Sequence, residues 1–163
     1  MKQITVVVRA PVDCVADDIS AFKQLVLSGG EVTPETLPGL VSRALTLGFG
    51  RAGERLVAVG AIKRPNPAHR DKVFAQAGVE RDPSKFAFEL GWVYVLPSAR
   101  RRGLARSLVA TLISSLNGRQ AYATSAVNNA PMHTLLNRFG FKPTGAPYPS
   151  QLNDPAIRLF LCE

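Results

Sequence analysis

The sequence is poor in the residues that build metal and redox sites. It has two cysteines and two histidines in 163 residues. Cys14 and Cys162 stand far apart, in no metal-binding or redox spacing, and read as reduced, core-type thiols. His69 and His133 are isolated and no H-E-x-x-H occurs, so no metal is expected. Neither a G-x-S-x-G elbow nor a Walker glycine loop is present, which removes the serine-hydrolase and P-loop classes. No apolar run approaches the length of a membrane span. The apolar part of Met1–Arg9 is too short for a signal peptide and reads as a first strand. A cytoplasmic protein without a membrane partner is therefore expected. Acidic residues are also scarce: Lys plus Arg number 20 against 12 Asp plus Glu, giving a net charge of +8 and a pI near 10.1. That balance favours polyanionic partners. No RNP, homeodomain or zinc-finger pattern accompanies it, so nucleic acid is allowed by charge and supported by no motif.

What the chain does have is 46% apolar residues, enough for one substantial core in a single domain over residues 1–163. Its most informative stretch is Phe86 to Leu116. Phe86–Val95 alternates as a strand does, with Phe86, Phe88, Leu90, Trp92 and Tyr94 on one face. Ala87, Glu89, Gly91, Val93 and Val95 take the other. Leu96-Pro97-Ser98 ends the strand, because Pro97 cannot donate to a ladder. Arg100-Arg101-Arg102-Gly103-Leu104-Ala105 follows and leads into a helix whose buried stripe is Leu104, Leu108, Leu112 and Ile113. A strand, a basic glycine turn and a helix N-terminus together make an anion site. The first N–H groups of a helix lack internal partners, and the dipole adds partial positive charge. Gly103 admits a phosphate to the backbone, and Ala105 keeps the first turn thin.

Arg100-x-x-Gly103-x-Ala105 resembles the pyrophosphate loop of the GNAT superfamily, the acetyl-CoA-dependent N-acetyltransferases. The context agrees in order: alternating strand, Pro, loop, amphipathic helix, second strand, Asn129, then Gly140-Phe141 ending a further helix. The resemblance is specific over Phe86–Lys142 and compatible over Gln3–Lys63. It implies an α/β (α+β) fold, a mixed, twisted sheet flanked by helices. It also implies acetyl-CoA as cosubstrate and a primary amine as acceptor. By resemblance, backbone amides over Arg101–Arg106 (Arg101, Arg102, Gly103, Leu104, Ala105, Arg106) hold the pyrophosphate, with Arg100 opening the motif. The Val93 N–H faces the thioester oxygen. Val95 pairs with the pantetheine arm as an added strand would, in a Val93-Tyr94-Val95 segment whose Tyr94 side chain belongs with Trp92 in the core. Asn129 hydrogen-bonds the pantetheine.

By resemblance, a Glu on this strand at this offset from the loop is the general base, which makes Glu89 the expected one; the alternative is a Glu hydrogen-bonded into the sheet or paired with an Arg. An amine of pKa near ~10.4 must shed a proton to attack, and a carboxylate among apolar strand positions needs a reason to be there. On the next strand the comparable position is Thr124, which cannot act as a base. The resemblance places a proton-donating Tyr at Leu136, which cannot donate. His133, Tyr148 and water are the substitutes. The alternative is a non-catalytic CoA-binding or nucleic-acid-binding module on the same fold.

Along the rest of the chain, Gln3–Arg9 reads as a strand and Asp13–Leu27 as a helix with Ile19, Phe22, Leu25 and Val26 inward. Thr33 and Pro34 start a second helix running to about Leu47. Phe49–Arg51 and Leu56–Lys63 flank a hairpin turn at Ala52-Gly53-Glu54. Residues 64–85 leave the sheet, with a short helix over Ala68–Ala77 ended by Gly78. We expect a substrate-facing insert there, carrying Lys63, Arg64, His69 and Arg70. Those charges would suit an acceptor bearing carboxylate or phosphate groups. Gln120–Ser125 reads as a strand, Asn129–Phe139 as a helix, Thr144–Pro155 as a loop and Ile157–Cys162 as a final strand. An exposed strand edge would allow a homodimer.

Overall fold

The computed structural model describes residues 2–30, 32–150 and 154–163. In chain order its elements are β1 (Ile4–Arg9), α1 (Ala16–Ser28), α2 (Leu37–Arg43), β2 (Thr46–Ala52), β3 (Arg55–Lys63), α3 (Pro67–Ala77), β4 (Phe88–Val95), α4 (Leu104–Ser114), β5 (Ala121–Ala126), α5 (Ala130–Arg138), β6 (Lys142–Tyr148) and β7 (Ile157–Cys162). The strands form a mixed, twisted seven-stranded sheet in the order β1-β2-β3-β4-β5-β7-β6, so the α/β architecture is as expected. The chain divides into two compact units. One is Met1–Arg64 with Leu90–Asn117, the other Pro65–Glu89 with Gly118–Glu163.

In the first unit β1 pairs antiparallel with β2, and β2 with β3 through the turn at Gly53-Glu54. Helix α1 buries Phe22 and Val26 and half-buries Ile19 and Leu25, as its apolar spacing requires. Phe22 packs against the Phe49 ring at 5.5 Å and edge-on to Trp92 at 6.2 Å. Helix α4 buries Leu104, Leu108, Val109 and Leu112 against the strands. It comes close because Gly48 and Gly60 lie beneath it. A Cβ there would stand 2.7 Å from Leu108 and 2.9 Å from Leu112, respectively.

In the second unit β4 pairs parallel with β5, Phe88 beside Ala121 and Glu89 beside Tyr122. β7 pairs antiparallel with both β5 and β6. Helix α3 is capped by the Asn66 side chain, which accepts from the Ala68 N–H at 2.8 Å. It buries Val73, Phe74 and Ala77 in a core with Phe86, Tyr122, Tyr148, Leu159 and Leu161.

Three expectations change. The second helix ends at Arg43 and not near Leu47, because Leu45 donates to the Ile62 carbonyl at 2.9 Å and Leu47 pairs with Ala61 in the sheet. It also begins at Leu37: the Thr33 and Thr36 hydroxyls bond each other at 2.9 Å, and neither side chain caps the helix. The first helix begins at Ala16, since Pro11–Asp13 form a separate 3-10 turn. Much of the expected loop Thr144–Pro155 is strand: β6 runs to Tyr148. Pro143 and Pro147 are tolerated because β6 is the last strand of the sheet, where a missing N–H breaks no ladder. Gln151–Asn153 of that expected loop lie outside the described residues.

Candidate active site

Strand β4 and the loop after it are laid down by local chemistry. Pro97–Ala99 form a single 3-10 turn that stops the strand at Val95. Two left-handed residues follow, Arg101 at φ 64° and Gly103 at φ 73°. Gly103 adopts that conformation without cost, whereas Arg101 does so under strain. Gly103 is the N-cap of α4, and the first helical bond runs from the Ser107 N–H to the Gly103 carbonyl at 3.1 Å. The N–H groups of Leu104, Ala105 and Arg106 therefore have no partner within the helix. A Cβ built on Gly103 meets nothing within 4 Å, so the backbone there is open to a ligand. Arg101, Arg102 and Arg106 are exposed beside it. Open amides, a helix N-terminus and flanking cations suit a pyrophosphate.

Arg100 has another task. Its Nε donates to the Val95 carbonyl at 2.9 Å, and its guanidinium lies 5.8 Å from the Tyr94 ring centre. It ties the loop back onto the end of the strand. Tyr94 and Trp92 pack at the edge of the Phe22 core, as their alternation implied. Trp92 was not legible as special: it has φ 55°, a left-handed residue inside a strand, which breaks the strand's regular period one residue before Val93. The Lys63 ammonium sits 4.8 Å from the Trp92 ring centre.

Glu89 is 7% exposed. Around it in the second unit the structure gathers Tyr122 from β5, Tyr148 from β6 and Arg70 from α3. Burial first, then the Glu89 charge, pushes the Tyr148 phenol up to about 12. Burial and the Glu89 carboxylate push Tyr122 higher still, with Arg70 opposing. Tyr122 had one signal in the sequence: it is the single large side chain in Ala-Tyr-Ala-Thr-Ser-Ala. Arg70 is turned inward, its side chain 11% exposed and paired with Asp71 at 3.1 Å. Arg64 donates to the Arg43 carbonyl at 3.3 Å, and His69 is exposed.

Asn129 is the exposed N-cap of α5; its Oδ1 accepts from the Met132 N–H at 3.2 Å. His133 donates from Nε2 to the Ala126 carbonyl at 2.9 Å and packs at a tilt against the Phe160 ring, centroids 4.9 Å apart. Leu136 is fully buried. Among the described residues no cluster of His, Cys, Asp and Glu could hold a metal ion, and no helix is long and apolar enough to cross a membrane.

A family model described as the acetyltransferase (GNAT) family matches residues 41–141, more than half of the chain. The protein belongs to the GNAT family. Its fold is shared with solved structures at low identity. An acyl-CoA N-acyltransferase from Pseudomonas aeruginosa is 14% identical with a TM-score of 0.71, over 99% of this chain and 100% of that one. ElaA from Escherichia coli is 17% identical with a TM-score of 0.72, again over 99% and 100%. NAA60 from Arabidopsis thaliana, solved in complex with acetyl-CoA, is 17% identical with a TM-score of 0.69, over 96% and 98%. At such identities the likeness carries the fold alone. No curated protein matches the sequence. The matched segment of this GNAT chain includes both Glu89 and the Arg100–Arg106 loop.

Proposed function

We propose that this GNAT protein transfers the acetyl group of acetyl-CoA to a primary amine, with Glu89 as general base. The observation that carries the proposal is a single strand, β4, that bears a buried carboxylate and ends in a doubly left-handed basic loop with open helix amides. Acetyl-CoA supplies an activated acyl group as a thioester. The Leu104, Ala105 and Arg106 amides hold the pyrophosphate, assisted by the exposed arginines. The Val93–Val95 backbone holds the arm, and the Val93 N–H stabilises negative charge developing on the carbonyl oxygen. Glu89 takes the proton that the acceptor nitrogen sheds as its bond to the carbonyl carbon forms and the carbon–sulfur bond breaks.

The departing thiolate must regain a proton. Leu136 cannot give one, and His133 is engaged by its hydrogen bond to the Ala126 carbonyl and its packing on Phe160. Tyr148, at about 12, is a poor donor to a thiolate of pKa near ~8.5. Protonated Glu89 or water returns it.

The test has two arms. Calorimetric titration with acetyl-CoA should show binding in the micromolar range, about −8 kcal/mol, in the wild type. CoA release from acetyl-CoA with a panel of amino acids, polyamines and short peptides should fall at least ~100-fold in Glu89→Gln with acetyl-CoA binding retained. Equal rates in wild type and variant would remove Glu89 from the mechanism. Tight binding with no turnover across the panel favours the non-catalytic CoA-binding module, which the buried Leu136 recommends.

A further inference from the structure

Tyr122 is fully buried, yet among the described residues its hydroxyl has no hydrogen-bond partner. A buried polar atom of this kind requires an explanation. Its ring is fixed on one side by Phe74, edge-on at 5.6 Å, and Phe74 is in turn held by Phe86 at 5.3 Å. The backbone register sets Tyr122 directly beside Glu89 on the neighbouring strand. The hydroxyl can therefore move little, and the charge that acts on it most is the Glu89 carboxylate. Three groups face this phenol: Glu89 from β4, Arg70 from α3 and Tyr148 from β6. Of these, the carboxylate is the strongest acceptor. Hydrogen bonds in resting active sites are often long and tighten when substrate enters.

We propose that Tyr122 is a positioning residue for Glu89. Its hydroxyl, clamped by Phe74 of the inserted helix α3, donates to one carboxylate oxygen and leaves the other facing the acceptor amine. The inserted segment then has a reason to pack on the sheet, because it supplies the wall that holds the phenol. This inference rests on Glu89 being the base, and the experiment separates the two.

The test is proton NMR on the free protein, following exchange of the Tyr122 hydroxyl proton with water in wild type and in Glu89→Ala. Tyr122→Phe assigns the resonance. Exchange should be at least tenfold faster in Glu89→Ala and also in Glu89→Leu, which keeps the volume without an acceptor, a difference that mere space-filling by Tyr122 would not produce. Equal exchange rates overturn the proposal. Should Glu89→Ala fail to fold, a wild-type cross-peak between the hydroxyl proton and the Glu89 side-chain methylenes is expected, and its absence overturns the proposal equally. If the hydroxyl responds to Glu89 while Glu89→Gln keeps full acetyl-transfer activity, the base assignment falls and the contact stands. If Glu89→Gln is inactive and the hydroxyl is indifferent, the base stands and the positioning role falls.

Discussion

Replacing Gly103 by Ala separates the two things this glycine does. Its φ of +73° is one that an L residue adopts at a cost of about 1–2 kcal/mol. No atom lies within 4 Å of the position its Cβ would occupy, so no clash adds to that cost. Gly118 provides a matched control. It has φ +78° and equally open surroundings, but it follows α4 where Gly103 precedes it. Gly103→Ala and Gly118→Ala should therefore lose similar stability in urea denaturation. Acetyl-CoA titration should then tell them apart. The methyl group at Gly103 stands where a pyrophosphate would approach the open amides of Leu104, Ala105 and Arg106. The Kd should weaken at least tenfold, about 1.4 kcal/mol, in Gly103→Ala and stay unchanged in Gly118→Ala. Wild-type affinity in Gly103→Ala, or equal weakening in both variants, would refute the assignment of this loop to the cosubstrate.

Three further outcomes are expected. Phe22→Ala should cost about 3–5 kcal/mol in chemical denaturation, since the ring is fully buried against Phe49 and Trp92. Gly145→Ala should destabilise by more than the ~1–2 kcal/mol of its left-handed conformation alone. Its Cβ would collide with the Ala77 carbonyl oxygen and the Val79 side chain, where α3 ends against β6, and hydrogen exchange should quicken in α3 first. Stability should fall between pH 10 and about 12. The folded protein holds the Tyr148 proton to about 12 while the unfolded chain releases it near the ordinary phenol value of 10.0. Unfolding is thus favoured as pH rises through that window, to which the more strongly held Tyr122 also contributes, and Tyr148→Phe should reduce, without abolishing, the alkaline loss measured by urea midpoint against pH.

The segments readable from sequence are those whose signals are local. Gly53-Glu54 between two apolar runs forms the β2–β3 hairpin, and Gly78 ends α3 in a left-handed cap. β7 spans the residues its apolar pattern marked. The stretch from β4 through α4 behaves likewise. Pro97 stops a strand, Gly103 supplies a left-handed cap, and leucines at helical spacing bury one face, all within a few residues of one another. The left-handed loop that starts α4 is legible for that reason.

Pairing partners distant in the chain decided the rest. Leu45 and Leu47 satisfy a helical period as well as a strand period, and only the ladder to Ile62 and Ala61 makes them sheet. Pro- and Gly-rich Thr144–Tyr148 lacks a strand signal of its own, and β7 beside it supplies the hydrogen bonds. The left-handed conformation of Trp92, edge-on to Phe22 from a distant helix, is one that no local signal for a bulky residue announces. Tyr122 becomes a neighbour of Glu89 solely through parallel register, and Arg70 and Phe74 join it solely because α3 packs on that unit. Local chemistry marks the residues here proposed to bind a pyrophosphate and take a proton. Tertiary structure decided what surrounds the carboxylate, because a side chain's environment is set by long-range contacts that no short window of sequence contains.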